Sequence, residues 1–172
     1  MKKTLVAAAA SLLLAAVSFA GTPANYSGTW KLDLASSKHL PSVYKDLTGG
    51  QINVTQDDKQ VAVDVSMQTK TDGSEFKKSM VYKLDGSETT SEVAINTGSG
   101  MQNVPSTLRG AALPSGQLLL TQTHQVTVNS KTWESTSAER WTLSADQKTL
   151  TVHRRDNLPK GAVEYDMVFT RS

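Results

Sequence analysis

The feature that most constrains this chain is a side-chain alternation with a period of two, renewed segment after segment from residue 28 to the C-terminus. Trp30, Leu32 and Leu34 fall on one face of an extended run, and Val61, Val63, Val65 and Met67 on one face of another. A helix repeats its apolar face near every 3.6 residues, and that period is absent. Phe76, Met80, Tyr82 and Leu84 form a further face, interrupted only by Lys78. The runs are divided by Asp72-Gly73, Asp85-Gly86, Asn129-Ser130 and Ala145-Asp146-Gln147, residues that favour tight turns. Later faces are Leu118, Leu120, Gln122, His124, Val126 and Val128; then Trp133 to Leu143 by twos; then Leu150, Val152 and Arg154; then Val163 to Phe169 by twos. The pattern predicts an all-β chain of nine or ten strands in hairpin order. Residues 35–46 suit a capped turn or short helix, and 96–105, with Gly98, Gly100 and Pro105, reads as a loop. A meander of this length removes its unpaired edges by closing, so the expected architecture is a single antiparallel up-and-down β-barrel of about eight to ten strands.

The first twenty residues stand apart. Met1-Lys2-Lys3 is a short positive end, residues 4–17 are an apolar stretch, and Ser18-Phe19-Ala20 supplies small residues where a signal peptidase cuts. The expected organisation is a signal peptide over 1–20 and one barrel domain over 21–172, exported to the periplasm or beyond. No integral membrane segment is expected in the mature form. Removing 1–20 takes away Lys2 and Lys3 and no acid, so the formal charge falls from +2 to zero. A strong field for nucleic acid is therefore not expected, although the full-length pI is near 8.8. The chain has no cysteine, which excludes disulfides and thiolate metal sites.

Tyr26-Ser27-Gly28-Thr29-Trp30 opens the first strand with Gly-x-Trp, and 28–38 together with the late hairpin 140–152 resembles secreted bacterial lipocalin-like (calycin-type) proteins of unassigned function. The Thr-Asp-x-x-Tyr motif of typical lipocalins is not present in the middle of the chain. The resemblance implies that Trp30 lies at a closed barrel end beneath a late basic residue, Arg171 or Arg154, in a structural role.

His39, His124 and His153 fall on a loop, an inward face and an outward face, so no metal triad is expected. Pairing across Asn129-Ser130 sets His124 opposite Ser135, Gln122 opposite Ser137, and Glu139 opposite Leu120. These polar residues would gather on the lumen side, able to fix the head of a ligand whose tail meets Trp133, Trp141, Tyr82 and Met80. Ordinary barrel filling beside ordered water is the competing account. The chain carries no Gly-x-Ser-x-Gly elbow, His-Glu-x-x-His or phosphate-cradling glycine loop, so neither catalysis nor a cofactor is indicated. Polar outward positions such as Lys77, Ser79 and Lys83 argue against a lipid-facing barrel. Two functions follow: carriage or sensing of a small apolar or amphipathic molecule, or a protein-interaction module or inhibitor using its loops, 96–105 above all, around a filled core.

Overall fold

The computed structural model describes residues 24–96, 101–128, 130–158 and 161–172; the expected signal peptide lies outside them. Ten strands run in order: β1 (Gly28–Lys38), β2 (Leu47–Gln56), β3 (Gln60–Thr69), β4 (Glu75–Lys83), β5 (Thr89–Asn96), β6 (Met101–Ala112), β7 (Leu118–Val128), β8 (Lys131–Leu143), β9 (Thr149–Leu158) and β10 (Gly161–Arg171). One short helix, α1 (Ser42–Lys45), joins β1 to β2. All strands belong to one antiparallel sheet of order β4-β3-β2-β1-β10-β9-β8-β7-β6-β5, a nearly closed barrel. The meander places every consecutive pair side by side except β4 and β5, which form the seam, and β1 meets β10 instead.

Turn chemistry fixes the registers. Gly73 takes φ +68°, while Asp72 accepts bonds from the Ser74 N–H at 2.9 Å and the Thr69 hydroxyl at 2.7 Å, ending β3 and starting β4. The β7–β8 ladder pairs Leu120 with Glu139, Gln122 with Ser137 and His124 with Ser135, the register expected from the turn at 129–130. A slip by one residue would send every apolar side chain of the hairpin outward.

Two local expectations are corrected in part. The short helix expected within 35–46 is present as Ser42–Lys45, leading into β2, but the segment starts as strand, because β1 continues to Lys38. The strand survives there because Ser37 Oγ donates to the Asp33 carbonyl at 2.7 Å and accepts the Val168 N–H at 3.0 Å, spanning an irregularity in the β1–β10 register. The loop read over 96–105 is largely strand, since β6 begins at Met101 and Pro105 stands opposite Glu92; residues 97–100 lie outside the described residues. Proline is tolerated because β6 is laddered there to β5 alone, the ladder to β7 starting at Ser106.

The core is concentrated at one end. Tyr26, in the segment preceding β1, is buried and plugs that end: its hydroxyl donates to the Trp141 carbonyl at 2.9 Å, and its own carbonyl accepts the Trp30 indole N–H at 2.9 Å. Burial pushes the Tyr26 phenol up to about 12, so it stays a donor at any ordinary pH. Trp30 is completely buried, and the Arg171 guanidinium lies 4.1 Å from its ring centroid. Pairing of Trp30 with Arg171 across β1 and β10 produces this stack. Gly28, at φ +136°, is needed beside it, because a Cβ there would stand 2.7 Å from Arg171 Nη1. Arg154, the other residue expected over Trp30, is elsewhere: it pairs with Tyr165 and Glu139 and points into the barrel.

Candidate functional site

Beyond the plugged end the inward side chains no longer meet. They surround a cavity of about 660 Å³, a size suited to a small organic ligand. Its wall is largely apolar: Ile52, Val63, Val65, Met67 and Met80 on one side, Val152, Met167 and Phe169 on the other. Trp141 forms part of the floor, with Tyr26 packed edge-on behind it at 6.0 Å between ring centroids. Phe76, Val43 and Tyr44 stand around the far rim. Phe76 is 47% exposed and Val43 71%, unusual for large apolar side chains that line a cavity.

The polar residues of the wall are organised in two groups. In the first, Arg154 donates to Glu139 at 2.9 Å, to Ser137 at 2.9 Å and to Asp156 at 2.8 Å. Tyr165 adds a bond to Asp156 at 3.0 Å, Tyr44 meets Tyr165 at 3.2 Å, and the Trp141 indole donates to Glu139 at 2.9 Å. Burial alone would lower the Arg154 pKa, but Glu139 foremost, with the Tyr165 and Tyr44 oxygens and Asp156, outweighs it and holds the guanidinium charged. Burial raises the Tyr165 and Tyr82 phenols. This group is internally satisfied.

The second group is a directed relay. Lys78 Nζ donates to Gln122 Oε1 at 3.0 Å, Gln122 Nε2 donates to Ser106 Oγ at 2.8 Å, and Ser106 Oγ donates to the Ser91 carbonyl at 3.2 Å. An ammonium has no acceptor, so the carbonyl end of Gln122 must face Lys78 and its NH₂ must face Ser106. Among the described residues no carboxylate lies within ion-pairing distance of Lys78. Burial first, and then Arg154, pushes the Lys78 ammonium down to about 8, with Glu139 opposing them.

The relay runs beneath the seam. There β4 and β5 share no ladder: Thr89 Oγ1 donates to the Val81 carbonyl, and Ser91 Oγ reaches the Ser79 carbonyl at 3.4 Å. Toward the plugged end closure passes to β6, where the Gly86 N–H donates to the Gly110 carbonyl at 3.0 Å and Asp85 bridges Ala111. Gly110 permits that approach, since a Cβ would lie 3.0 Å from both the Lys83 carbonyl and Tyr82 Cβ. Toward the rim, Lys78 of β4 and Val93 of β5 both line the cavity from opposite sides of the seam.

Of the side chains expected to meet a ligand, Gln122, Ser137, Trp141, Tyr82 and Met80 line the cavity. Trp133, His124 and Ser135 do not. They have inward parity, but their pairs lie further toward the β7–β8 turn, off the cavity wall: Ser135 is buried with its Oγ bonded to the Asn157 carbonyl at 3.3 Å, while Trp133 and His124 are half-buried and His124 Nδ1 has no partner among the described residues. Burial, Lys78 and Arg154 together lower the His124 pKa. Sequence reasoning missed Lys78, Glu139 as a bonded wall residue, and Arg154 as its partner. The signal was available for Lys78, which breaks an otherwise apolar inward face. Among the described residues no three His, Asp or Glu side chains gather as a metal site, and no helix is long and apolar enough to cross a membrane. No protein-family model matches the chain, and no curated protein matches it.

Proposed function

We propose that this protein is an exported, lipocalin-like barrel that carries or senses a small, partly apolar molecule in its lumen. The carrying observation is the cavity of about 660 Å³, apolar over most of its wall and polar along one side. Side chains of the inward faces fill the plugged end but leave this space beside it, so ordinary core filling does not account for the whole interior. Gly28-Thr29-Trp30 on β1, stacked under Arg171 of the last strand, supports the lipocalin-like reading. The charged, apolar and small-residue order of the first twenty residues supports export.

Uptake of the neutral dye Nile red tests the lumen. Met80→Trp places a larger side chain in the wall and is expected to abolish the fluorescence gain of the wild-type protein without unfolding it, checked by circular dichroism. Native mass spectrometry of protein purified without denaturation is expected to find a stoichiometric small molecule. Dye uptake unchanged by Met80→Trp, together with an empty barrel that co-purifies with a protein, would favour the interaction module instead.

A further inference from the structure

We propose that Lys78 is the headgroup site of the lumen and that the ligand is a single-chain amphiphile ending in a carboxylate; this rests on the lumen reading above. Three observations carry it. Lys78 lines the cavity, yet only one of its three N–H groups has a protein acceptor among the described residues, the neutral Gln122 oxygen. The other lumen cation is already taken: Arg154 bonds both Glu139 and Asp156. Finally, the Gln122–Ser106–Ser91 relay holds Lys78 in place from three other strands, so the ammonium is positioned before any ligand arrives.

Asp46, at the rim, accepts from the Thr71 hydroxyl; deeper in the lumen, Lys78, Arg154, Glu139 and Asp156 sum to zero but are bonded unequally. Both acids sit on Arg154, and Lys78 keeps a charge that burial disfavours. One entering carboxylate would neutralise it and supply acceptors for its free N–H groups. A dianionic phosphate would leave a second negative charge beside Glu139, and a cationic head would meet Lys78 itself. The apolar wall from Met80 to Phe169 would hold the chain.

The experiment is displacement of Nile red by dodecanoate, dodecanol, dodecyl phosphate and dodecyltrimethylammonium, on wild type, Lys78→Met and Lys78→Arg. Dodecanoate is expected to bind wild type about tenfold to a hundredfold more tightly than dodecanol, as a charged hydrogen bond contributes. Lys78→Met should remove that preference while keeping dodecanol binding, and Lys78→Arg should restore part of it. The wild-type measurement repeated with pH needs no variant. The titratable groups around Lys78 are His124 on β7, whose pKa burial and Lys78 itself lower, Glu139 on β8, Arg154 and Asp156 on β9, Tyr82 on β4, Tyr165 on β10, and Tyr44 and Asp46 at the rim. Of the charges, Lys78 is the one expected to be lost just above neutrality, so the preference should fade as pH rises past about 8. Equal binding of dodecanoate and dodecanol to wild type would overturn the proposal and leave the lumen reading standing. Tighter binding of dodecyl phosphate or dodecyltrimethylammonium than of dodecanoate would likewise overturn it. Binding of none of the four, with no dye uptake, would overturn the lumen reading itself.

Discussion

At the plugged end of the barrel, Tyr26, Trp30, Trp141, Leu118 and Phe169 meet around a common centre, all buried; at the rim end, the same strands stand around a void. Identical hairpins and identical parity produce both. What differs is side-chain volume and one outside contribution: aromatic rings and the Tyr26 plug fill the first half, whereas valines, methionines and a lysine face each other across the second. Parity decides which way a residue points, and volume decides whether the interior is solid.

Variants should separate the halves, and the largest effect belongs to the plug. Trp30→Ala is expected to cost about 3–5 kcal/mol in chemical denaturation, since it empties a fully buried site and removes the Arg171 stack. A loss under about 1 kcal/mol would show that the plug is as loosely packed as the lumen. Arg154→Met should cost about 3 kcal/mol, because Glu139 and Asp156, whose side chains are 16% and 17% exposed, would keep their charge without a partner. An unchanged denaturation midpoint would place that cluster among surface ion pairs.

Lys78→Met acts in the opposite direction and is smaller, a gain on the order of 1 kcal/mol near neutral pH after allowance for solvent in the cavity. The sign follows from linkage. The Lys78 ammonium loses its proton near 8 when folded and near 10.5 when unfolded, so between those values the unfolded chain binds more protons and wild-type stability rises with pH. Below about 8 both states are protonated and the penalty is fully present. Denaturation at about pH 7 and about pH 10 should show that rise in wild type and its loss in Lys78→Met. A rise that persists in the variant would assign it to another group.

Much of this was legible in the sequence. Strand order and the β7–β8 register follow from period, turn residues and parity, whereas the family resemblance set Arg171 or Arg154 over Trp30 and the β1–β10 register selects Arg171. The strand at 101–105 was hidden because Pro105 and the nearby glycines signal a loop, and only the one-sided ladder makes proline harmless there. The location of the void was not legible: parity gives Trp133 and Trp141 the same direction, yet only Trp141 reaches the cavity. Arg154 illustrates the same limit. The resemblance offered it a place over Trp30 as the alternative to Arg171, whereas Glu139, opposite it across β8 and β9, holds it in the lumen wall.

The seam has one more consequence. Every other joint of the sheet is made by main-chain ladders, which form whatever side chains the strands carry. Between β4 and β5 continuity passes to hydroxyls and to the Lys78–Gln122–Ser106 relay, so that one joint is written in residue identity. A few substitutions there could widen or close the barrel wall without touching any other strand pair, which makes this line the part of the fold most open to change by mutation.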